Sequence, residues 1–518
     1  MILLAPVVIY LCTLTALSSG QRVAVVGAGA AGASAAYYAQ MELEARGLDP
    51  AEIHVFERSD RVGGRAHSGS VKYNNKTYHF EQGASMFIGK NRHLLDLAIK
   101  FELSLCSHPC TFAHTNDVDM EANQASALGS YGVWEPRENK WLVRMGSGPL
   151  LDSVRMLWRY RGSGDLSYVR RRTQAAVDEF TKSYDDFNNH TTGIFSTWDE
   201  YLADKPLLRT SLYYSAAEFY QSPSEHIRRR FLDEVVSLAT RVNYMQDVDR
   251  ISALGAHISM AAESDTAYSV AGGNWQIFAN MISSAPAHLH LNTTVREIQR
   301  SPAGSDRPYA LTLMSSDGVE IIEHFDLVII AAPLPLAKIR VLDEQHTKLV
   351  AADYVHMHVT FAIGILRDDL FPAGRDLPRL IVTPYRTTEP FNCLSILACL
   401  TQHSMQRCRD GPVLVKIFSH APLDLQRVFS SVDWHHEQQW HSYPRLEPRN
   451  AGYVKEGGNE SAAFRLGRKP PPPIILDQAG PATGVFYVNG METLLSTMES
   501  QTVAARHVVR LALFGKGE

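Results

Sequence analysis

Apolar positions fall into three patterns along the chain. Residues 22–26, 53–56, 325–333 and 485–488 are short, nearly continuous apolar runs bounded by Gly, Pro or charged residues. Such runs predict strands buried on both faces. Residues 150–265 follow mostly helical spacing, and Ser222-Pro223-Ser224-Glu225 reads as a capping box with Pro at the first helical position, opening a helix through Val236. Residues 354–366 alternate as a strand, and Asp317-Gly318 between residues 311–313 and 321–322 predicts a hairpin. A Pro-rich linker covers 468–473.

The first run leads into Gly27-Ala28-Gly29-Ala30-Ala31-Gly32, then a helix rich in small residues from Ala33 to Ala39. The second run ends on Glu57. Strand, GxGxxG turn, helix, strand and acid in this order predict a dinucleotide site. Gly27 makes the tight turn, Gly29 admits a pyrophosphate, and Gly32 lets helix and strand pack closely. The helix start at Ala31 offers free N–H groups to phosphate. Glu57 is placed to accept the hydroxyls of an adenosine ribose. Gly63, Gly64 and Arg65 follow. They would add backbone donors and a positive charge at the pyrophosphate.

The pattern ERxxRxGGR, from Glu57 and Arg58 to Arg65, resembles the flavin-binding amine-oxidase superfamily, whose members hold FAD. Three later segments fit that resemblance. Residues 291–298 look like the strand whose valine, here Val295, packs near the adenine. Residues 325–333 look like the strand beneath the cofactor. Gly490, Glu492 and Thr497 fall in what looks like the last flavin segment, where a helix start faces the ring system. Gly83, Ala84 and Ser85 look like a return to the flavin. The fold class implied is α/β: a discontinuous, Rossmann-like FAD-binding domain with an inserted α+β substrate domain. The nucleotide pieces are 21–100, 268–335 and 480–518. The substrate pieces are 101–267, mostly helical, and 336–479.

The inserted segments carry a narrower resemblance. Residues 240–246 match the TRVNYxQ signature of the prenylcysteine oxidase (prenylcysteine lyase) family, with Met245 where Gly is frequent. Residues 270–276, Leu157-Trp158-Arg159-Tyr160 and residues 440–444 are similar to it as well. The resemblance implies an FAD enzyme that oxidises S-farnesyl- and S-geranylgeranyl-cysteine, with dioxygen as acceptor. The products would be cysteine, the prenyl aldehyde and hydrogen peroxide. Arg241, Asn243 and Tyr244 become the candidate catalytic residues, with Arg241 placed to meet the cysteine carboxylate. A flavin amine oxidase is the rival. It would place a lysine beside the flavin, and no lysine sits in a motif suggesting one. A non-catalytic flavin or lipid-binding protein of the same fold is the third reading.

Composition narrows the setting. The chain has 518 residues, 45% of them hydrophobic, and a net charge of -5, which gives no sign of nucleic-acid binding. Residues 1–20 form an apolar run ending in small residues and read as a secretory signal peptide. Sequons at Asn75, Asn189, Asn292 and Asn459 suit a glycoprotein of the secretory pathway, secreted or lysosomal, with Asn292 least suited because it falls in the adenine strand. Cys106 with Cys110, and Cys399 with Cys408, are candidate disulfides. The arginine runs 170–172 and 228–230 read as solvated faces, or as peripheral contact with an anionic membrane. His356, His358, His435, His436 and His441 lack acid or Cys partners at metal-binding spacing, so no metal is expected.

Overall fold

A computed structural model describes residues 20–107, 130–146, 149–161, 164–187, 193–263, 265–342, 352–372, 377–387, 390–400, 408, 411–449 and 471–515. Residues 1–19, Cys110, Asn189, Asn459 and residues 468–470 of the Pro-rich linker lie outside these residues.

Six strands build the nucleotide sheet, in the order Ala287–His290, Glu52–Phe56, Arg22–Val26, Leu327–Ile330, Thr483–Tyr487 and Ile475–Gly480. The first five are parallel and the last is antiparallel. Alternation explains why these runs are apolar throughout. Val23 and Val25 join the core beneath the helices Ala30–Glu44, Trp275–Ser284 and Met498–Phe514. Ala24 and Val26 join a second core with Val295, Leu311 and Phe325. That second layer is a sheet of Glu320–Phe325, Tyr309–Ser315, Thr293–Arg300 and Arg340–Val341. Its predicted hairpin turns at Gly318, whose φ is +84°.

A seven-stranded sheet forms the second body. Its order is Phe429–Pro444, Tyr354–Leu366, Val413–Ser419, Cys393–Cys399, Leu380–Val382, Tyr131–Glu135 and Lys140–Arg144. Helices Asp165–Asp185, Ser237–Tyr244 and Ala253–Met260 lie beside it. Cys399 and Cys408 form a disulfide, Cys106 is also disulfide-bonded, and Cys393 is buried and free.

Two local expectations change. Residues 222–225 form a turn, and the helix begins at Arg229, passes through a π-helical turn at Leu232–Val236 and ends at Tyr244. The Glu225 carboxylate is taken by Arg172 from the long helix (Nε–O 3.0 Å), so it cannot close a box on Ser222. A capping box forms instead at Ser215 and Glu218. Asn292 is exposed in a left-handed turn ahead of its strand, with φ +54°.

Candidate functional site

The nucleotide cradle follows from backbone stereochemistry. Gly27 leaves its strand at φ +103° and donates to the Phe56 carbonyl at 2.8 Å. A Cβ on Gly32 would lie 1.7 Å from the Gly27 oxygen, so this glycine holds helix against strand and stays outside the cavity. Gly29 caps the helix without a side-chain bond, and no acid occupies the first turn. The protein leaves room for a Cβ at Gly29, with Gly64 Cα 3.7 Å away; the bare backbone there faces the cavity that Gly29, Ala30 and Ala31 line. Gly63 and Gly64 have φ of +109° and +57° and close over the turn, with Gly63 N donating to the Ala28 carbonyl at 2.9 Å. These are the features of an anion cradle.

Glu57 is buried at the cavity edge. It accepts from Ala28 N at 2.8 Å and from Ser59 N and Oγ at 2.9 and 2.8 Å. A carboxylate keeps further lone pairs, so these bonds fix it without saturating it. Arg58 is exposed and lines the cavity, and so does Arg61, which donates to the Gly64 carbonyl at 3.0 Å. Arg65 lines the cavity as well. Its guanidinium pairs with Glu492 and donates to the Ser442 carbonyl at 2.8 Å, so its charge is balanced within the protein. Glu492, 2% exposed, also accepts from the Tyr354 hydroxyl at 3.0 Å. Arg58 and Arg61 also line the cavity beside the glycine turn.

Gly83, Ala84 and Ser85 line the cavity together, and a Cβ on Gly83 would lie 1.8 Å from the Arg65 oxygen. Val295 lines it at a β-bulge between Val295 and Glu297. Thr497 lines it and caps the last helix in a box with Ser500. Gly490 does not line it. A Cβ there would lie 2.6 Å from Trp198 Nε1, so this glycine serves packing against Trp198.

From the cradle one cavity of about 1520 Å³ runs on between the helices and the seven-stranded sheet. Single small-molecule sites span roughly 300–1,000 Å³, so this volume takes a dinucleotide and a second ligand. The far wall is apolar on the helical side, with Val177, Phe180, Leu208, Leu254 and Ile258. On the sheet side it carries Arg379, Lys416, Phe418, Gln438 and Trp440. Gln82 Oε1, Gln438 Oε1, Trp440 Nε1, Ser442 Oγ and Asn489 Oδ1 are buried with no hydrogen-bond partner among the described residues. Buried polar atoms are normally satisfied, so these parts of the cavity suit a polar ligand. The cradle, the ribose acid and the orphaned Gln82 and Asn489 atoms fit FAD.

Arg241 is not in this wall. It is 2% exposed, and its guanidinium donates to Asp247 at 2.7 Å, to Thr383 Oγ1 at 2.9 Å and to the Thr387 carbonyl. Those bonds tie helix to sheet and leave it no reach to a ligand. Asn243 and Tyr244 do line the cavity. The Asn243 amide donates back to the Ala239 carbonyl at 2.9 Å, and the Tyr244 hydroxyl donates to the Ser496 carbonyl at 3.0 Å.

The residue that sequence reasoning missed is Lys416. It lines the cavity beside Ser85, donating to the Glu81 carbonyl at 2.8 Å and to Ser85 Oγ at 3.4 Å. Burial pulls its ammonium down to about 8, with Glu81 opposing. Burial also raises the Glu81 carboxyl to about 7. A lone lysine inside the apolar run of residues 413–418 was the available signal.

A family model described as prenylcysteine lyase matches residues 146–454, more than half of the chain. The chain belongs to the prenylcysteine lyase family. A second model, an NAD(P)-binding Rossmann-like domain, matches residues 25–101, the cradle itself. Among prenylcysteine lyase relatives, farnesylcysteine lyase of Arabidopsis thaliana is 27% identical over 96% of this chain and 88% of its own length. Human prenylcysteine oxidase 1 is 24% identical over 95% of this chain and 88% of its own. Among solved structures, cyclohexylamine oxidase from Brevibacterium oxydans shares the fold, with a TM-score of 0.53 at 14% identity over 94% of this chain and 98% of that one.

One departure from the prenylcysteine lyase signature has a structural cost. Met245, where Gly is frequent, ends its helix at φ +48°, a conformation that favours glycine by about 1 kcal/mol. Its side chain is buried in the core under the seven-stranded sheet.

Proposed function

We propose that this chain is an FAD-dependent oxidase of S-prenyl-cysteine. The overall reaction converts S-prenyl-cysteine, dioxygen and water into cysteine, the prenyl aldehyde and hydrogen peroxide. The observation that carries this reading is the continuity of one cavity from the nucleotide cradle to an apolar helical wall. When bound, the flavin supplies the two-electron acceptor for oxidising the carbon beside sulfur and returns those electrons to dioxygen.

The protein's own part is placement. Phe180, Leu208, Leu254 and Ile258 present the apolar surface an isoprenoid chain requires. Arg379, Gln438 and Trp440 on the opposite wall suit the charged amino-acid end. Holding the reacting carbon in register and limiting water access are worth more here than a nucleophile. Lys416 keeps an ammonium proton at Nζ, next to Ser85. The bonded cysteines support an oxidising compartment. With the apolar leader they favour the secretory pathway, and exposed Asn75 is the sequon best placed for a glycan.

The test is anaerobic addition of S-farnesyl-cysteine to the purified holoenzyme. Bleaching of the flavin, followed by peroxide and farnesal once air returns, is expected. A second reading, amine oxidation, draws on the buried Lys416. Bleaching by an amine and not by either prenyl substrate would replace the first reading with the second. A flavin that no substrate bleaches would leave a non-catalytic flavoprotein.

A further inference from the structure

The helix Pro149–Arg159 is amphipathic, yet part of its apolar side faces outward. Val154, Leu157 and Trp158 are 61%, 63% and 84% exposed, one turn apart on one face. Met156 and Tyr160 turn inward and pack on the helical core. A solvent-facing tryptophan beside two aliphatic side chains is costly in water. It therefore suggests a surface that something covers.

The charge around this face says what. Arg155, Arg161, Arg228 and Arg230 surround the helix and are exposed. Arg159 lies bidentate on Glu234 at 2.6 and 2.7 Å, with the Tyr160 hydroxyl on the same carboxylate at 2.9 Å, which anchors the helix end. Arg228 donates to the Tyr160 carbonyl, and Arg230 stands 3.5 Å from Glu234. Asp152, 3.6 Å from Arg155, and Asp233, 2.8 Å from Arg229, are further acids here. Positive charge is in excess. An apolar stripe with tryptophan, flanked by arginine, is the composition of a helix lying in a lipid headgroup layer. The arginines would meet lipid phosphates and carboxylates while Leu157 and Trp158 enter the acyl boundary. No helix among the described residues is long and apolar enough to cross a membrane.

We propose that the helix Pro149–Arg159 docks the protein on an anionic phospholipid surface. The docking stands on this helix alone. Only its benefit, meeting a substrate that partitions into lipid, rests on the prenylcysteine reading.

The experiment is co-sedimentation of the holoenzyme with vesicles of phosphatidylcholine, alone or mixed with phosphatidylserine. The wild type should bind the mixed vesicles and lose binding in high salt. The Leu157→Gln/Trp158→Gln variant should bind more than about tenfold more weakly. The Arg155→Gln/Arg230→Gln variant should lose a similar factor, on mixed vesicles only. Both should turn over S-farnesyl-cysteine normally without vesicles. Absent binding by the wild type, equal binding to both vesicle types, or unchanged binding by the Leu157/Trp158 variant would overturn the proposal. So would a wild-type dimer that this variant splits, because a second copy would then cover the face. Vesicle binding by a protein that turns over no prenyl substrate would sustain the docking and remove the substrate reading alone.

Discussion

The nucleotide sheet and the seven-stranded sheet meet at the same cavity but are specified differently. In the first, each functional position is set by its neighbours in sequence. Gly27, Gly29 and Gly32 sit within six residues and work through backbone geometry. In the second, function depends on register between distant strands. Lys416 reaches Ser85 across 331 residues of sequence, and Arg241 reaches Thr383 across 142. The cradle is built from short-range rules, and the substrate wall from long-range pairing.

That contrast can be broken experimentally. The largest effect is expected at Gly32→Ala, where the new Cβ would meet the Gly27 carbonyl at 1.7 Å. With backbone on both sides nothing can yield cheaply. A loss of more than about 4 kcal/mol is expected, read as a protein that purifies without flavin and melts early. A yellow, stable Gly32→Ala protein would mean the turn is more plastic than its geometry allows.

Next comes the bond joining the two ends of the nucleotide unit. Arg65→Met leaves Glu492 buried and uncompensated, at a cost of about 3–5 kcal/mol. Arg65→Met/Glu492→Leu should recover much of that stability in a thermal melt. If the double variant is no better than the single, the pair is not the source of the loss.

Glu499 tests the seam between the last helix and the helix Arg92–Lys100. It is 1% exposed, accepts from His93 N and Leu94 N at 2.9 and 3.0 Å, and burial raises it to about 7. A carboxyl raised from about 4.5 stabilises the fold fully below pH 4.5, and that contribution fades as pH climbs through 7. Glu499→Gln does not titrate. Relative to wild type it should therefore gain up to roughly 3 kcal/mol between pH 4.5 and 8, whatever its constant penalty. Parallel stability curves for the two proteins across that range would refute the assignment.

On the substrate wall, Lys416→Met should keep its flavin but be reduced by substrate at least about tenfold more slowly, some 1.4 kcal/mol. An inflection near pH 8 in kcat/KM should vanish with it. Retention of that inflection would assign it elsewhere. The smallest effect on affinity is expected at Arg241→Lys. The melt should fall while KM for S-farnesyl-cysteine stays within about twofold, since Arg241 is bonded to Asp247 and Thr383 and lines no cavity. A large rise in KM would return Arg241 to the site.

Legibility in the sequence divides along the same line. The glycine turn, the ribose acid, the bulged strand at Val295 and the capped last helix are local patterns, and each lies at the cavity. Two Ser-x-x-Glu patterns show where local rules stop. Ser215 with Glu218 caps a helix, but Ser222 with Glu225 does not, because Arg172 from another helix claims the acid. The TRVNYxQ motif pointed at Arg241 and at its neighbours Asn243 and Tyr244 alike. Only the fold separates the residue that ties helix to sheet from those facing the cavity. Arg379 and Lys416 were unreadable as parts of one cavity wall, since sharing it depends on the strand Cys393–Cys399 pairing between Leu380–Val382 and Val413–Ser419.

The order of the nucleotide sheet also bears on biosynthesis. The central strand Arg22–Val26 has Leu327–Ile330 on one side, and that strand in turn needs Thr483–Tyr487. At a typical 5–20 residues per second, the first strand waits roughly 15–60 s on the ribosome for its inner neighbour. During that interval its apolar edge is open, and the mononucleotide half has nothing to close against. The parallel sheet therefore closes only after residue 487 has emerged, because its strands come from three distant segments of one message.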